Sequence, residues 1–245
     1  MAVTEALFRE DAYLRDADAK VVGINESGGF ILDRTIFYAT SGGQPGDTGR
    51  IVRANGETVE IAGTITGETK DEIIHLPASG QPAPTIGEAV TLQIDWERRF
   101  KLMRMHTACH LLTVICSFPI TGAAVSEEDS RVDFDMAETG FTKEDVTARL
   151  QELIAADHPV STRWIGDDEL AANPSFVKSK NVRPPMGSGR IRLVLIGESG
   201  NVDSQPCGGT HVRSLGEIGA IHVGKIEKKG RENRRFRLRF GPIPA

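Results

Sequence analysis

Apolar and polar positions alternate in short stretches through residues 1–95. These stretches are rich in β-branched residues and are separated by Gly, Asn, Asp or Pro. In chain order they read KVVGIN, GFILD, TIFYA, GRIV, ETVEIAGTI, EIIHL and EAVTLQI. Short strands at this spacing predict a small β-barrel or β-sandwich.

A helical pattern begins at residue 96 and continues to about residue 116. Asp95 can cap its start, because a carboxylate accepts hydrogen bonds from the free N–H groups of a first turn. The helix should stop before Phe118-Pro119, since the residue that precedes a proline disfavours helical geometry. Apolar residues cover nearly its whole circumference from Leu102 onward, so we expect most of this helix to be buried.

Strands and helices are mixed in the rest of the chain. Strands are predicted at 131–135, 160–165 and 191–197, and a short helix at 166–173. Thr142-x-x-Asp145 is a capping box that predicts the start of another helix. The complete pattern indicates an α+β fold, with a small β-barrel-like domain over residues 1–95 and an α+β domain over residues 96–245.

Charge differs between these two parts. Residues 1–95 carry 7 Lys and Arg against 15 Asp and Glu, a net charge of −8. Residues 96–245 carry 22 against 19, a net charge of +3, within a chain total of −5. This asymmetry supports two domains and an anionic partner for the second one.

The bulk composition narrows the class of protein. No apolar run approaches the length of a membrane span, and the first residues lack the basic-then-apolar pattern of an export signal. The 3 cysteines are an odd number, which argues against a disulfide framework. We therefore expect a cytoplasmic protein without a membrane partner.

The last apolar segment carries a row of basic residues. Phe236 and Leu238 alternate with Arg235, Arg237 and Arg239, so one face is apolar and the other cationic. A solvated edge strand that is protected from aggregation by its charge has the same pattern. Contact with a phosphate backbone is the functional interpretation. The candidates for such contacts are Lys228, Lys229, Arg234, Arg235 and Arg237.

Two pairs of metal-binding side chains lie about a hundred residues apart. His106 and His110 stand at i and i+4 of the predicted helix, so their imidazoles face the same way. Cys207 and His211 have the same spacing in a glycine-rich loop. Three imidazoles and a thiolate suit tetrahedral Zn²⁺, and the sequence therefore predicts a zinc site.

Cys109 is an alternative ligand, because it lies between the two histidines of the helix. Cys207 is better placed, since a loop thiolate can approach the cation from outside the helix. We therefore expect Cys109 to line a pocket beside the metal. Thr107 stands where zinc proteases have the Glu of His-Glu-x-x-His, which argues against peptide hydrolysis.

Residues 38–49, YATSGGQPGDTG, form a second glycine-rich segment. A wide turn between strands is the simpler interpretation of this composition. The functional interpretation is a loop whose bare backbone approaches a ligand. It is not a phosphate-binding loop, because Gly-Lys-Ser/Thr is missing.

Three of these segments together resemble one protein family. HTACHLL, DSQPCGGTHVRSLGEIG and FYATSGGQPGDTG are similar to the editing domain of alanyl-tRNA synthetase, and most of all to the freestanding AlaX trans-editing proteins. The resemblance extends from about residue 20 to residue 241. The N-terminal barrel, and a chain that stops after its last strand, resemble the medium form of that family.

The resemblance implies a zinc-dependent deacylase that cleaves the ester between tRNA(Ala) and a wrongly attached amino acid, chiefly serine and sometimes glycine. The zinc ligands that it implies are His106, His110, Cys207 and His211. Its partner is then mischarged tRNA(Ala), and neither DNA nor a membrane. The Gln-x-Gly-Ser element of the synthetase domain has no counterpart over residues 117–130. The candidates for reading the amino acid are therefore Thr40, Gln44 and Cys109.

Four protein ligands leave the catalytic role of zinc open, because a catalytic zinc usually keeps one free position. In one version zinc polarises water or the ester carbonyl directly. In the other it holds the fold and orients the substrate amino group, while a neighbouring group or a ribose hydroxyl activates the water. The backbone N–H groups of Gly208 and Gly209 are candidates for stabilising the oxyanion.

Two functions of other classes fit the same residues. A zinc-stabilised tRNA-binding module would bind tRNA and leave the aminoacyl ester intact. A metal-dependent hydrolase of small esters or amides would turn over small substrates without tRNA.

Overall fold

The computed structural model describes residues 3–81, 83–182, 184 and 190–243. The chain divides into two units, Met1–Lys101 and Leu102–Ala245. The division falls inside a long helix, whereas the sequence placed a domain boundary just before that helix. The separate roles of the two parts stay a prediction.

Six antiparallel strands close into a barrel in the first unit, in the order β2-β3-β7-β6-β5-β8. Its strands are β2 (Asp16–Ile24), β3 (Phe30–Leu32), β5 (Gly49–Arg53), β6 (Thr58–Thr66), β7 (Ile73–Pro77) and β8 (Ala89–Ile94). A short parallel pair adds β1 (Glu5–Ala6) and β4 (Arg34–Thr35). Inward-facing Phe30, Leu32, Ile51 and Leu92 are fully buried. The structure thus confirms an α+β chain and resolves the choice between barrel and sandwich as a closed barrel.

The predicted strand TIFYA is wrong beyond Thr35, where β4 ends. Its backbone N–H groups go to side chains instead of a neighbouring strand. Phe37 N–H donates to Thr35 Oγ1 at 3.0 Å, and Tyr38 N–H donates to Asp47 Oδ2 at 2.6 Å. A β-propensity pattern does not show such competition from polar side chains.

Helix α1 (Trp96–Ile115) confirms the helical prediction. Asp95 Oδ1 accepts a hydrogen bond from Arg98 N–H at 3.1 Å, as expected for an N-terminal cap. Leu102, Met105 and Leu112 are fully buried, so the later turns lie in the interior. Imidazoles on this helix are consequently held in low-dielectric surroundings.

Two antiparallel sheets form the second unit. The first has the order β14-β15-β10-β9 and the second the order β11-β12-β13. The first contains β9 (Ile120–Ala124), β10 (Asp129–Asp135), β14 (Ile221–Lys228) and β15 (Asn233–Phe240). The second contains β11 (Val160–Ile165), β12 (Ile191–Ile196) and β13 (Asp203–Pro206). All the side chains of β12 are buried, which fits its position in the middle of the second sheet.

The remaining helices are short. Helix α2 (Lys143–Ala155) begins at the predicted capping box of Thr142 and Asp145, and α3 is Asp167–Ala172. Segments of 3₁₀ helix cover Leu7–Arg9, Pro174–Phe176, Glu198–Gly200 and Leu215–Ile218. Among the described residues, no helix combines the length and the apolar character needed to span a membrane.

Candidate metal centre

Helix α1 presents two imidazoles to one point in the interior. His106 and His110 are only 7% and 6% exposed, and their ring centroids lie 5.3 Å apart. The ring of His211 is 4.3 Å from the first and 4.6 Å from the second. The helical spacing of the first two histidines therefore places both beside the third.

Strand β13 leads into the loop that carries the thiol. Asp203 and Gln205 are buried, whereas Ser204 and Pro206 are partly exposed, so alternate residues face the interior. Cys207, which is partly exposed, follows Gln205 at the same two-residue spacing. Its Sγ lies 3.5 Å from His106 Nε2 and 3.4 Å from His211 Nε2.

Four ligand atoms therefore converge at one place, all within 4.8 Å of one another. They belong to His106, His110, Cys207 and His211, the group predicted from the sequence. Three nitrogens and one sulfur suit Zn²⁺ better than Mg²⁺ or Ca²⁺, which prefer oxygen ligands. The arrangement fits a tetrahedral metal, while zinc itself stays a prediction.

Electrostatics favour an ionised sulfur at this point. Burial opposes ionisation of the Cys207 thiol, but its electrostatic and hydrogen-bonding interactions with the neighbouring imidazoles outweigh burial and hold its pKa well below the ordinary value. Burial and the neighbouring His106 lower the pKa of His211 to about 3. Thiolate and neutral imidazole are the forms that coordinate a metal.

Thr107 fixes the orientation of His211. The Thr107 hydroxyl donates its hydrogen to Met103 O at 2.9 Å. Its oxygen then accepts from His211 Nδ1–H, 3.1 Å away. This tautomer leaves the Nε2 lone pair directed at the cluster, as in metal sites whose histidines are held by a hydrogen bond on the other nitrogen. Thr107 thus supports a ligand at the position where zinc proteases have a Glu.

A carboxylate stands behind His110. Asp203 Oδ2 lies 3.7 Å from His110 Nδ1, which has no hydrogen-bond partner among the residues that the structure describes. Burial lowers the pKa of His110, but Asp203 and Cys207 outweigh it and raise that pKa to about 9. In metal sites, the ring nitrogen of a histidine that does not bind the metal commonly faces a carboxylate. The position of Asp203 beside Nδ1 therefore fits His110 as a metal ligand through its other ring nitrogen.

Asp203 is itself held by a polar network. Lys178 Nζ contacts Asp203 Oδ1, and Gln205 Nε2 donates to Asp203 Oδ2 at 2.6 Å. Gln205 Nε2 also lies 2.6 Å from Thr113 Oγ1, and that hydroxyl donates to His110 O at 2.8 Å. The carboxylate is therefore fixed from several directions next to the imidazole.

Arg192 of β12 lies against the loop that follows β13. Its Nη1 donates to Cys207 O at 3.0 Å and to Gly209 O at 2.8 Å. Gly209 N–H points to Cys207 Sγ at 3.4 Å. The roles of Gly208 and Gly209 as oxyanion donors stay predictions.

Cys109 lies outside the cluster of metal-binding side chains. Burial raises the pKa of its thiol to about 12, so this side chain stays protonated. Its predicted contact with the substrate stays a prediction.

The glycine-rich loop belongs to the first unit and is closely tied to its surroundings there. Thr40 Oγ1 accepts from Gly46 N–H at 2.8 Å, and Arg98 Nη1 donates to Gly46 O at 2.8 Å. A Cβ on Gly46 would meet Thr64 O at 1.9 Å, so only glycine fits. Gln44 is buried and Thr40 is exposed. Their roles in reading the amino acid stay predictions.

The basic strip is formed by β15 residues, the end of β14 and the turn between them, and consists of Lys228, Lys229, Arg234, Arg235 and Arg237. Arg235 contacts Asp133 at 2.8 Å, and Arg237 contacts Asp129 and Glu227, each at 3.0 Å. Phe236 and Leu238 are buried, as the alternation predicted. Lys229 lies 3.7 Å from Glu227, Lys228 is exposed, and Arg234 donates to backbone carbonyls including Gly230 O. Lys229, Arg235 and Arg237 are thus held in ion pairs, and the contact of the basic strip with tRNA stays a prediction.

Comparison with known proteins shows the family to which the chain belongs. Residues 191–237 match the family model of the threonyl and alanyl tRNA synthetase second additional domain, and residues 8–98 match that of class II (A) tRNA synthetases. The alanyl-tRNA editing protein AlaX-M of Methanosarcina mazei is 34% identical, over 96% of this chain and 95% of its own length. The chain belongs to the AlaX family. AlaX-M of Saccharolobus solfataricus is 32% identical over 95% of this chain and 97% of its own length.

Longer relatives contain the same region. AlaX-L of Pyrococcus horikoshii is 32% identical over 98% of this chain, which covers 58% of that protein. The alanine–tRNA ligase of Pyrobaculum neutrophilum is 33% identical over 92% of this chain, which covers 25% of the ligase. The near full-length match to AlaX-M relatives agrees with the medium form of AlaX.

Sequence reasoning missed three polar residues around the four metal-binding side chains. Asp203 and Gln205 stand at even spacing before Cys207, which on a strand places all three on one face. Arg192 interrupts the otherwise apolar strand IRLVLI, and a charge inside such a strand indicates a specific partner. Both signals are visible in the sequence, but their partners depend on the fold.

Proposed function

We propose that this chain is a zinc-dependent aminoacyl-tRNA deacylase that removes serine, and to a lesser extent glycine, from mischarged tRNA(Ala). The convergence of His106, His110, Cys207 and His211 in a member of the AlaX family carries the proposal. The relatives are named as alanyl-tRNA editing proteins. Ester hydrolysis at a single metal site is the reaction that connects the four converging side chains with the editing activity named for the relatives.

Zinc held by the four side chains would supply Lewis-acid activation of water or of the ester carbonyl. The protein provides the orientation of the ligands: Thr107 directs His211, and Asp203 stands behind His110. Gly208 is exposed and lies next to Cys207, and its backbone N–H is the proposed hydrogen-bond donor to the negative charge that develops on the carbonyl oxygen.

Selectivity against alanine follows from hydrogen bonding. A pocket that bonds the serine hydroxyl leaves a buried polar group unpaired when alanine enters, and this discriminates strongly. Cys109, Thr40 and Gln44 are the proposed residues for this contact. Affinity for tRNA would come from phosphate contacts, with Lys228 and other members of the basic strip as candidates.

The presence of four protein ligands favours one alternative function. A metal with four protein ligands is typical of structural sites, so the chain could be a zinc-stabilised tRNA-binding module without catalysis. That protein would bind tRNA(Ala) and leave the seryl ester intact.

The deciding experiment is deacylation of seryl-, glycyl- and alanyl-tRNA(Ala) by the zinc-loaded protein, with and without a chelator. We expect loss of the seryl ester, slower loss of the glycyl ester and little loss of the alanyl ester. Cys207→Ala should abolish zinc content and activity together. Cys116→Ala, at a buried cysteine outside the cluster, is the matched control and should keep both. A seryl ester that stays intact in every zinc-loaded sample would refute the deacylase and leave the binding module.

A further inference from the structure

A buried cation holds the backbone of the loop that carries the thiolate. Arg192 is 9% exposed, and one of its terminal nitrogens, Nη1, reaches the carbonyls of both Cys207 and Gly209, at 3.0 and 2.8 Å. In return, Cys207 N–H donates to Arg192 O at 3.0 Å. Side chain and backbone of one residue thus define the path of the loop on both sides of Gly208.

The direction of these carbonyls decides where the N–H groups point. In a trans peptide the C=O and the following N–H point in opposite directions, and no described peptide is cis. Since Cys207 C=O points to Arg192, Gly208 N–H points away from it. Gly208 is exposed, and its N–H donates to no acceptor among the described residues. Gly209 N–H points to Cys207 Sγ at 3.4 Å.

The loop therefore separates its acceptors from its donors. The carbonyls of Cys207 and Gly209 are turned onto a guanidinium, and the Gly208 N–H donor points away from it. Preorganised donors of this kind stabilise transition states because they need no reorganisation during the reaction. A carbonyl without such an anchor could rotate and point its oxygen to the site.

We propose that Arg192 is the positioning residue of the metal loop, directing the Cys207 sulfur to the three histidines and the Gly208 N–H to the substrate side. The first half concerns metal binding alone. The second half rests on the proposed deacylase function. The competing explanation is that Arg192 only stabilises the β11-β12-β13 sheet.

Two variants and one control test the proposal. Arg192→Met removes the donors and keeps the apolar stem, whereas Arg192→Lys keeps the charge but loses the planar fork of the guanidinium. The control is Arg163→Met on the adjacent strand β11, where Arg163 pairs with Glu169 at the surface. Folding is checked by circular dichroism and thermal unfolding of each protein.

Four readouts separate positioning from stability. The carbonyl ¹³C chemical shifts of Cys207 and Gly209 in the metal-free protein report the hydrogen bonds from Arg192. Zinc affinity is measured by chelator competition, and the Co²⁺ absorption spectrum reports the geometry of the thiolate ligand. Hydrolysis of seryl-tRNA(Ala) is resolved into kcat and KM.

We expect Arg192→Met to shift both carbonyl resonances, to alter the Co²⁺ spectrum and to weaken zinc binding about 10- to 100-fold, the range typical of residues that support metal ligands. Arg192→Lys should give an intermediate affinity, and Arg163→Met should match the wild type. In the zinc-saturated Arg192→Met protein, kcat should fall while KM stays within about two-fold, because the Gly208 donor acts on the transition state.

A folded Arg192→Met protein with wild-type carbonyl shifts and zinc affinity would overturn the proposal. If that variant does not fold, Arg192→Lys decides, and wild-type values in both measurements overturn it. The shifts and the zinc affinity need no tRNA. They therefore test the loop even if the wild-type protein deacylates nothing, and an inactive wild type refutes the deacylase alone.

Discussion

Asp47→Ala should destabilise the first unit more than any surface substitution, because it leaves a buried guanidinium without its counter-charge. Arg99 is 0% and Asp47 1% exposed. Arg99 Nε lies 3.0 Å from both carboxylate oxygens, and Nη2 contacts the same group. Arg99 Nη1 donates to Ala12 O at 2.8 Å, and Nη2 also donates to Ile36 O at 2.7 Å. Tyr38 N–H donates to the carboxylate at 2.6 Å.

Removal of one partner from a buried ion pair costs about 3–5 kcal/mol, because the remaining charge stays desolvated. Loss of the bond from Tyr38 N–H adds about 1–3 kcal/mol if that group finds no water. A typical domain has a free energy of unfolding of about 5–15 kcal/mol. Asp47→Ala should therefore remove a large fraction of the stability of the first unit.

Urea unfolding followed by tryptophan fluorescence measures this effect. The chain has 2 tryptophans, Trp96 against the barrel core and Trp164 in the second unit. In a Trp164→Phe background, fluorescence reports the first unit alone. Glu5→Ala is the control, because it breaks the exposed Glu5–Arg34 pair at 3.4 Å and should change the free energy of unfolding by less than about 1 kcal/mol.

A double variant isolates the uncompensated charge. Asp47→Leu combined with Arg99→Met replaces both charges by apolar groups and should recover part of the stability that Asp47→Ala loses, because no charge stays buried, whereas Tyr38 N–H still lacks its acceptor. A loss of less than about 1 kcal/mol in Asp47→Ala would refute the reasoning, since it would mean that water reaches the Arg99 guanidinium in solution.

Further predictions concern the metal site, pH and tRNA. Asp203→Asn should weaken zinc binding about 10- to 100-fold in chelator competition, and unchanged affinity would mean that the carboxylate behind His110 does not support it. Burial lowers the pKa of His75 from 6.5 to about 4, so the unfolded chain binds more protons between these values. The free energy of unfolding should therefore be unaffected above pH 6.5 and should fall by roughly 3 kcal/mol as the pH drops to 4. That slope should be missing in His75→Gln if the assignment is right. Arg235→Ala and Arg237→Ala should weaken tRNA binding and flatten its salt dependence, and an unchanged slope would mean that their acidic partners keep these arginines from phosphate.

Local patterns in the sequence were sufficient to predict most of the elements. Alternating stretches predicted the barrel strands, and the position of Asp95 predicted the start of α1. The exception is residues 36–39, where β-propensity is high but no strand forms. There Asp47, brought close by the fold, takes the N–H of Tyr38. Propensity reports the local preference of a chain, and it does not report a distant side chain that competes for the backbone.

The four metal-binding side chains were predictable for a different reason. His106 and His110 follow helical spacing, and ligand chemistry restricts what can pair with them. Arg99 and Asp47 are 52 positions apart, and neither a spacing pattern nor ligand chemistry predicts that they pair. Each is an ordinary charged residue in the sequence, and only the tertiary structure buries the two together. The same holds for the contact of Arg192 with Gly209 O.

Strand β13 restricts how the length of this chain can vary during evolution. Asp203 and Gln205 reach the metal-binding region because alternate residues of a strand share one face. Deletion of Pro206 alone would reverse the face on which Asp203 and Gln205 lie relative to Cys207. The turn before β13, Glu198–Gly200, contains Ser199 at φ 54° and lies outside the paired strands, so it can absorb insertions. Homologous chains should therefore differ in length at this turn and keep a constant number of residues from Asp203 to His211.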